Sequence, residues 1–190
     1  MEEKMSRPPT DKQERIIKAA VKLVHERGFA RCSLAQIAQE AGVPTGSVYY
    51  FFKSKGELAE AILQQHQTTY AALCALWDEL PSASDRLVAF LQMTVERRRG
   101  LTAYGCPVAT LGGEVQKEVG GPHEQSAGRV FQELIHWLQA QFAELEHADP
   151  YGDAVHLLSA IEGATLLSHT LRDPGFIEQE VARLTDWIHS

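Results

Sequence analysis

Between Ser33 and Lys55 the chain has room for two helices of only eight residues each, and their brevity constrains the fold more than any other feature of its 190 residues. A helix that short is marginal in water on its own. Two of them, joined by Gly42-Val43-Pro44, persist only if a longer helix covers their apolar sides, for which Leu34, Ile37, Ala38, Val48 and Phe52 are available. The preceding segment supplies that helix. Ile16, Ala19, Ala20, Leu23, Val24 and Arg27 fall at i, i+3, i+4, i+7, i+8 and i+11, an apolar stripe closed by a cation. Gly28 then provides a left-handed stop, with Phe29 placed to fold back on the last turn. Two short helices meeting at a glycine-bearing turn describe a helix-turn-helix.

Spacings of three and four continue to the end of the chain and alternating runs of strand type are scarce, so the predicted fold class is all-α. Helix starts are marked by capping boxes at Ser33-Leu34-Ala35-Gln36 and Ser54-Lys55-Gly56-Glu57, and by Asp149-Pro150 and Asp173-Pro174. Stops are read at Ala41-Gly42, Arg99-Gly100 and Val119-Gly120-Gly121-Pro122. These marks predict about nine helices, at 11–27, 34–41, 45–52, 55–79, 84–99, 107–118, 123–146, 150–171 and 174–189. The first three form a helix-turn-helix domain at 1–54; the rest form a helical domain at 55–190. No internal repeat or low-complexity segment is present.

In a helix-turn-helix the second helix enters the major groove of DNA and the first crosses the backbone. Here the second helix opens on Thr45-Gly46-Ser47, small polar residues that permit close approach and offer hydroxyls to bases or phosphates. Tyr49 and Tyr50 lie one step past the core residue Val48 and point away from it, suited to phosphate and thymine-methyl contacts. Ser33 caps a helix N-terminus, itself a phosphate site, and Lys53 and Lys55 flank the next one. A purely structural hairpin with inward tyrosines would leave these features unexplained.

The net charge of -7, from 18 Lys and Arg against 25 Asp and Glu, stands at first against a nucleic-acid partner. Its distribution removes the objection. Residues 1–65 balance at +2 and residues 66–190 at -9. The longest run without Asp, Glu, Lys or Arg, Ala61 to Trp77, is polar in its middle, so no transmembrane helix is expected. Met1-Glu2-Glu3-Lys4 is charged where a secretory signal needs apolar residues, and a cytoplasmic location is expected. Cys32, Cys74 and Cys106 are too few and too far apart for a disulfide framework or a CxxC metal site, and the eight histidines show no metal-ligand spacing. No metal and no cofactor are expected, and no GxSxG, P-loop or GxGxxG follows a strand, so no enzyme is expected either.

Residues 12–62 resemble the N-terminal DNA-binding domain of the TetR family of bacterial transcriptional repressors. The resemblance rests on Glu26-Arg27-Gly28-Phe29, on Ser33-Leu34-Ala35-Gln36-Ile37-Ala38, and on the run from Ala41-Gly42-Val43-Pro44-Thr45-Gly46-Ser47 through Val48-Tyr49-Tyr50-Phe51-Phe52-Lys53-Ser54-Lys55-Gly56-Glu57-Leu58. It implies that Ser33, Thr45, Gly46, Ser47, Tyr49, Tyr50 and Lys55 contact DNA. Family members often carry histidine where this chain has Phe51, so one polar contact is expected to be missing. The resemblance further implies a homodimer on an inverted-repeat operator, and a C-terminal domain for a small, mostly apolar inducer whose binding releases DNA, with helix 55–79 as lever.

From Asp153 to Leu171 the only charges are Asp153 and Glu162, and apolar residues occupy more than one face. The last helix repeats Ile177, Val181, Leu184 and Ile188, a seam for helix packing. Both suit a four-helix interface between two copies through 150–171 and 174–189; the competing reading is one helix buried centrally in a monomer. Tyr70, Trp77, Phe90, Met93, Tyr104 and Phe131, with Cys106 and Glu162, are the candidate ligand-binding residues, though each aromatic taken singly reads as ordinary core. Gly105-Cys106-Pro107-Val108 interrupts the helical pattern and opens space between helices. Cys106 reads either as a reactive sensor or as a small buried hydrophobe, with no evident cation to lower its pKa. Glu162 reads as an interface residue or as the partner of a ligand cation. Arg97-Arg98-Arg99 reads as a solvated helix end. A small-molecule enzyme, recognisable by turnover without DNA, and an interaction module that retains no DNA remain the alternatives from other classes.

Overall fold

The computed structural model describes residues 11–117 and 126–190, and among them nine helices and no strand. In order they are α1 (Asp11–Arg27), α2 (Leu34–Ala41), α3 (Thr45–Phe51), α4 (Lys55–Trp77), α5 (Ala83–Tyr104), α6 (Pro107–Lys117), α7 (Ser126–Glu144), α8 (Pro150–Leu171) and α9 (Gly175–Ile188). The N-terminal charge run, the stop at Val119–Pro122 and the ends expected at 118 and 123 lie outside the described residues. No described helix is long and apolar enough to cross a membrane.

Two apolar cores organise the chain. The first gathers Ile16, Ala20, Leu23 and Val24 of α1, Ile37 and Ala38 of α2, Val48 and Phe52 at α3, and Leu58, Ala59, Ile62 and Leu63 of α4, and it continues into Val108 and Leu111 of α6. The short helices are thus held by α1 as their brevity demanded. Between them Gly42 adopts a left-handed backbone (φ 62°), and a Cβ there would meet Nη2 of Arg15 at 2.8 Å. That guanidinium donates to the Ala41 and Gly42 carbonyls at 2.6 and 2.8 Å, closing the end of α2 onto α1. The second core joins Cys74 and Trp77 of α4 with α5, α7, α8 and α9. α4 contributes to both cores and is the covalent link between them.

Two expectations are corrected. α5 does not stop at Arg99-Gly100; Gly100 lies within the helix, which ends at Gly105 with φ 80°. A glycine ends a helix only where its backbone turns to positive φ, and here Gly105 makes that turn. The arginines therefore stand within the helix and not at its terminus: Arg97 and Arg99 are exposed, while Arg98 Nε pairs with Glu178 Oε1 of α9 at 2.7 Å. The α9 seam is also not free for a second copy. Ile177, Val181, Leu184 and Ile188 are buried in the chain's own core beside α5 and α8, which need an apolar cover. The apolar surface left outside is another one, with Leu166, Leu167 and Leu171 of α8 at 64%, 47% and 57% exposure. Leu167 shares a shallow groove with Ala160 and Gly163 of α8 and with Phe176 and Arg183 of α9.

Candidate DNA-binding face and effector cavity

The face begins with how α2 and α3 are capped. The Ser33 hydroxyl accepts from Gln36 N at 3.2 Å and the Gln36 side chain accepts from Ser33 N at 2.9 Å, closing the box on the exposed side of α2. α3 follows Pro44 with no side-chain cap, and Val48, fully buried, anchors it. Thr45, Gly46, Tyr49 and Tyr50 are exposed and Ser47 is half-buried. The two phenols stand at 56% and 71% exposure, while the half-buried Phe51 packs on the first core and presents its ring edge-on to Tyr50 at 5.1 Å. Phe51 thus props the tyrosine platform, a role its sequence position did not disclose.

The two lysines differ. Lys53, exposed, donates from Nζ to the Tyr49 and Tyr50 carbonyls at 3.2 and 2.9 Å, satisfying the end of α3 while its charge stays at the face. Lys55 is turned back instead: its Nζ donates to the Phe29 carbonyl at 2.9 Å and lies 4.7 Å from the Phe29 ring centre. It therefore secures the turn after α1 and does not project from the face.

Behind this domain a cavity of about 410 Å³ opens between the two cores. Six of the eight expected ligand-binding residues line it: Tyr70, Phe90, Met93, Cys106, Phe131 and Glu162. Trp77 does not; it is buried edge-on to Phe90 at 6.0 Å and 5.5 Å from the Trp137 ring. Tyr104 also does not, being 40% exposed with its ring against His25 at 5.4 Å. Both are aromatic and central in the sequence, but apolar character does not say which side of a helix faces a cavity.

Sequence reasoning missed the contribution of α1, since Val21 and His25 reach the cavity from the DNA-binding side. The His25 ring donates from Nε2 to the Gly105 carbonyl at 2.9 Å, and nearby the Ala30 amide donates to Glu114 Oε2 of α6 at 2.8 Å. Arg97 and His66 were missed as well; both line the cavity. Burial, with repulsion from His25 and Arg97, pushes His66 down to about 4, so it is uncharged at physiological pH.

Glu162 and Cys106 both line this cavity and influence one another's ionisation. Burial raises the Glu162 carboxyl above its ordinary range, the Cys106 thiol opposing. Burial first, then the Glu162 charge, pushes the Cys106 thiol up to about 12. A thiol held so high offers almost no thiolate at neutral pH, which favours the inert of its two readings. Iodoacetamide at about pH 8 is expected to leave Cys106 unmodified in the native protein under conditions that label it in denaturant, read by peptide mass mapping; native labelling at the rate of a free thiol would show it reactive. All three cysteines are buried and free, and among the described residues no three His, Cys, Asp or Glu are grouped to hold a metal.

Comparison with known proteins places this geometry. The model of the bacterial regulatory proteins of the tetR family matches residues 16–62. The repressor NemR of Escherichia coli is 32% identical over 111 residues, 55% of this chain and 54% of NemR. The regulator TtgR of Pseudomonas putida is 46% identical over 54 residues, 28% of this chain and 26% of TtgR. The matched segments thus span about half the length of NemR and about a quarter of TtgR. A crystal structure of a TetR transcriptional regulator from Legionella pneumophila superposes with a TM-score of 0.82 over 97% of this chain and 98% of that one, at 22% identity, a likeness of fold.

Proposed function

The chain is a member of the TetR family of bacterial transcription regulators, and we propose that it works as a homodimeric, ligand-responsive repressor. Each copy would set α3 into the major groove of one half of an inverted-repeat operator, and a small, mostly apolar effector in the cavity would release it. The observation that carries this reading is the pair of exposed tyrosines on a seven-residue helix whose every buried contact serves only to hold it in place. Such a helix is a presented surface. Ser33, Thr45, Gly46, Ser47, Tyr49, Tyr50 and Lys53 form the contact set, with Lys55 as support. Residues 1–54 act as the DNA-binding domain and 55–190 as the effector and dimerisation domain, with α4 shared between their cores.

The outer face of α8 supports the dimer. Leu166, Leu167 and Leu171, together with small residues at Ala160 and Gly163, let a second helix approach closely and remove apolar surface from water. Two α3 helices about 34 to 36 Å apart then meet two half-sites one turn apart. The charge distribution assists, because the -9 of residues 66–190 repels phosphate and turns the +2 half toward the duplex. For release, α4 has Leu58 in the first core and Trp77 in the second, and α1 itself walls the cavity, so an occupant bears on the DNA-binding domain from both.

Selection of bound fragments from random DNA tests this function. An inverted repeat with half-sites about one helical turn apart is expected. No enrichment at low salt would overturn it.

A further inference from the structure

The cavity confronts one carboxyl with a mostly apolar wall. Glu162 lines it from α8 with Ile161 and Thr165, largely buried, and the polar side chain that acts on its carboxyl is the Cys106 thiol, a weak donor. A carboxylate accepts about four hydrogen bonds, so most of its capacity faces the cavity. The two other formal charges on the lining are Glu96 and Arg97, both exposed residues of α5. Burial keeps His66 neutral there. The carboxyls therefore outnumber the one permanent cation, and among the described residues Glu162 enters no ion pair. Phe90, Met93 and Phe131 complete a wall suited to an aromatic body, and rings and thioethers also tolerate a neighbouring cation. A volume of about 410 Å³ holds a body of one or two rings.

We propose that the cavity selects monocationic aromatic amines, whose ammonium donates to the Glu162 carboxylate while the ring body lies among Phe90, Met93 and Phe131. The inference rests on the reading of this cavity as the effector site. The physical ground is that an uncompensated carboxylate in an apolar cavity is costly, and a ligand that brings the opposite charge removes that cost, whereas a neutral or anionic ligand leaves or worsens it.

Calorimetric titration of the full chain with three matched probes, para-phenylbenzylamine, para-phenylbenzyl alcohol and para-phenylbenzoate, tests it. The amine is expected to bind at least about tenfold more tightly than the alcohol, and the benzoate most weakly. The isosteric Glu162→Gln should weaken the amine about tenfold and leave the alcohol within about threefold. An alcohol that binds as tightly as the amine overturns the proposal on the native protein alone, as does an amine preference that survives Glu162→Gln. A separate arm adds the amine to the protein on its selected operator. Tight amine binding without DNA release would refute the regulatory reading and leave the amine site standing; operator binding with the wrong probe ranking would refute the amine site alone.

Discussion

Replacing Tyr49 with alanine is expected to lower operator affinity about a hundredfold while helix content and melting temperature stay unchanged. Tyr49 is 56% exposed and absent from either core, so its truncation removes little packing. Its neighbour Val48, fully buried, continues to hold α3 in place. The loss is large because it is incurred twice. A contact to phosphate or base worth roughly 1.4 kcal/mol is tenfold in affinity per copy, and a dimer on an inverted repeat makes it in both halves. Fluorescence anisotropy of a labelled operator duplex measures the effect. Unchanged affinity would remove Tyr49 from the contact face and leave Tyr50, propped by Phe51, to carry it.

Much of this was legible in the residues. The stripe from Ile16 to Val24 and the capping box at Ser33 are local signals, and the structure places α1 and α2 where they fall. The outward tyrosines were legible for the same reason, since a seven-residue helix anchored by one valine leaves few positions free to turn inward. What was not legible depends on neighbours that spacing does not name. The α9 seam announces an apolar stripe but not its cover, and the cover is the chain's own α5 and α8. Gly100 and Gly105 are the same residue type five positions apart, and only the backbone angle at Gly105 makes it the stop. Lys55 was expected at the phosphates because it is cationic and beside a helix start, yet the carbonyls left open after α1 lie closer. The cavity followed a similar rule. Its aromatic wall was anticipated in outline, whereas Val21, His25, His66 and Arg97 entered through tertiary packing.

The proposed coupling between the cavity and the DNA face would have a thermodynamic consequence. If an effector weakens operator binding, the operator weakens effector binding by the same factor. His25 of α1 donates to the Gly105 carbonyl and Glu114 of α6 accepts from Ala30 just past α1, so in the proposed mechanism motion of that region would reach the helix-turn-helix without passing through α4 alone.

The dimer is the part of the account on which affinity most depends. Leu167 is 47% exposed in the outer groove of α8 and α9, beside Gly163 and Phe176. With glutamate there, two copies meeting through this face would each bury a carboxylate against apolar surface, which costs several kcal/mol per charge and splits the pair. Each separated copy then reads one half-site, and operator affinity is expected to fall by more than about a hundredfold with the fold intact. The most direct measurement is the mass of the protein–DNA complex on the selected inverted repeat, by native mass spectrometry. Two copies per duplex are expected for the native chain, and at most one, weakly held, for Leu167→Glu. A single native copy per duplex at full affinity would contradict the account.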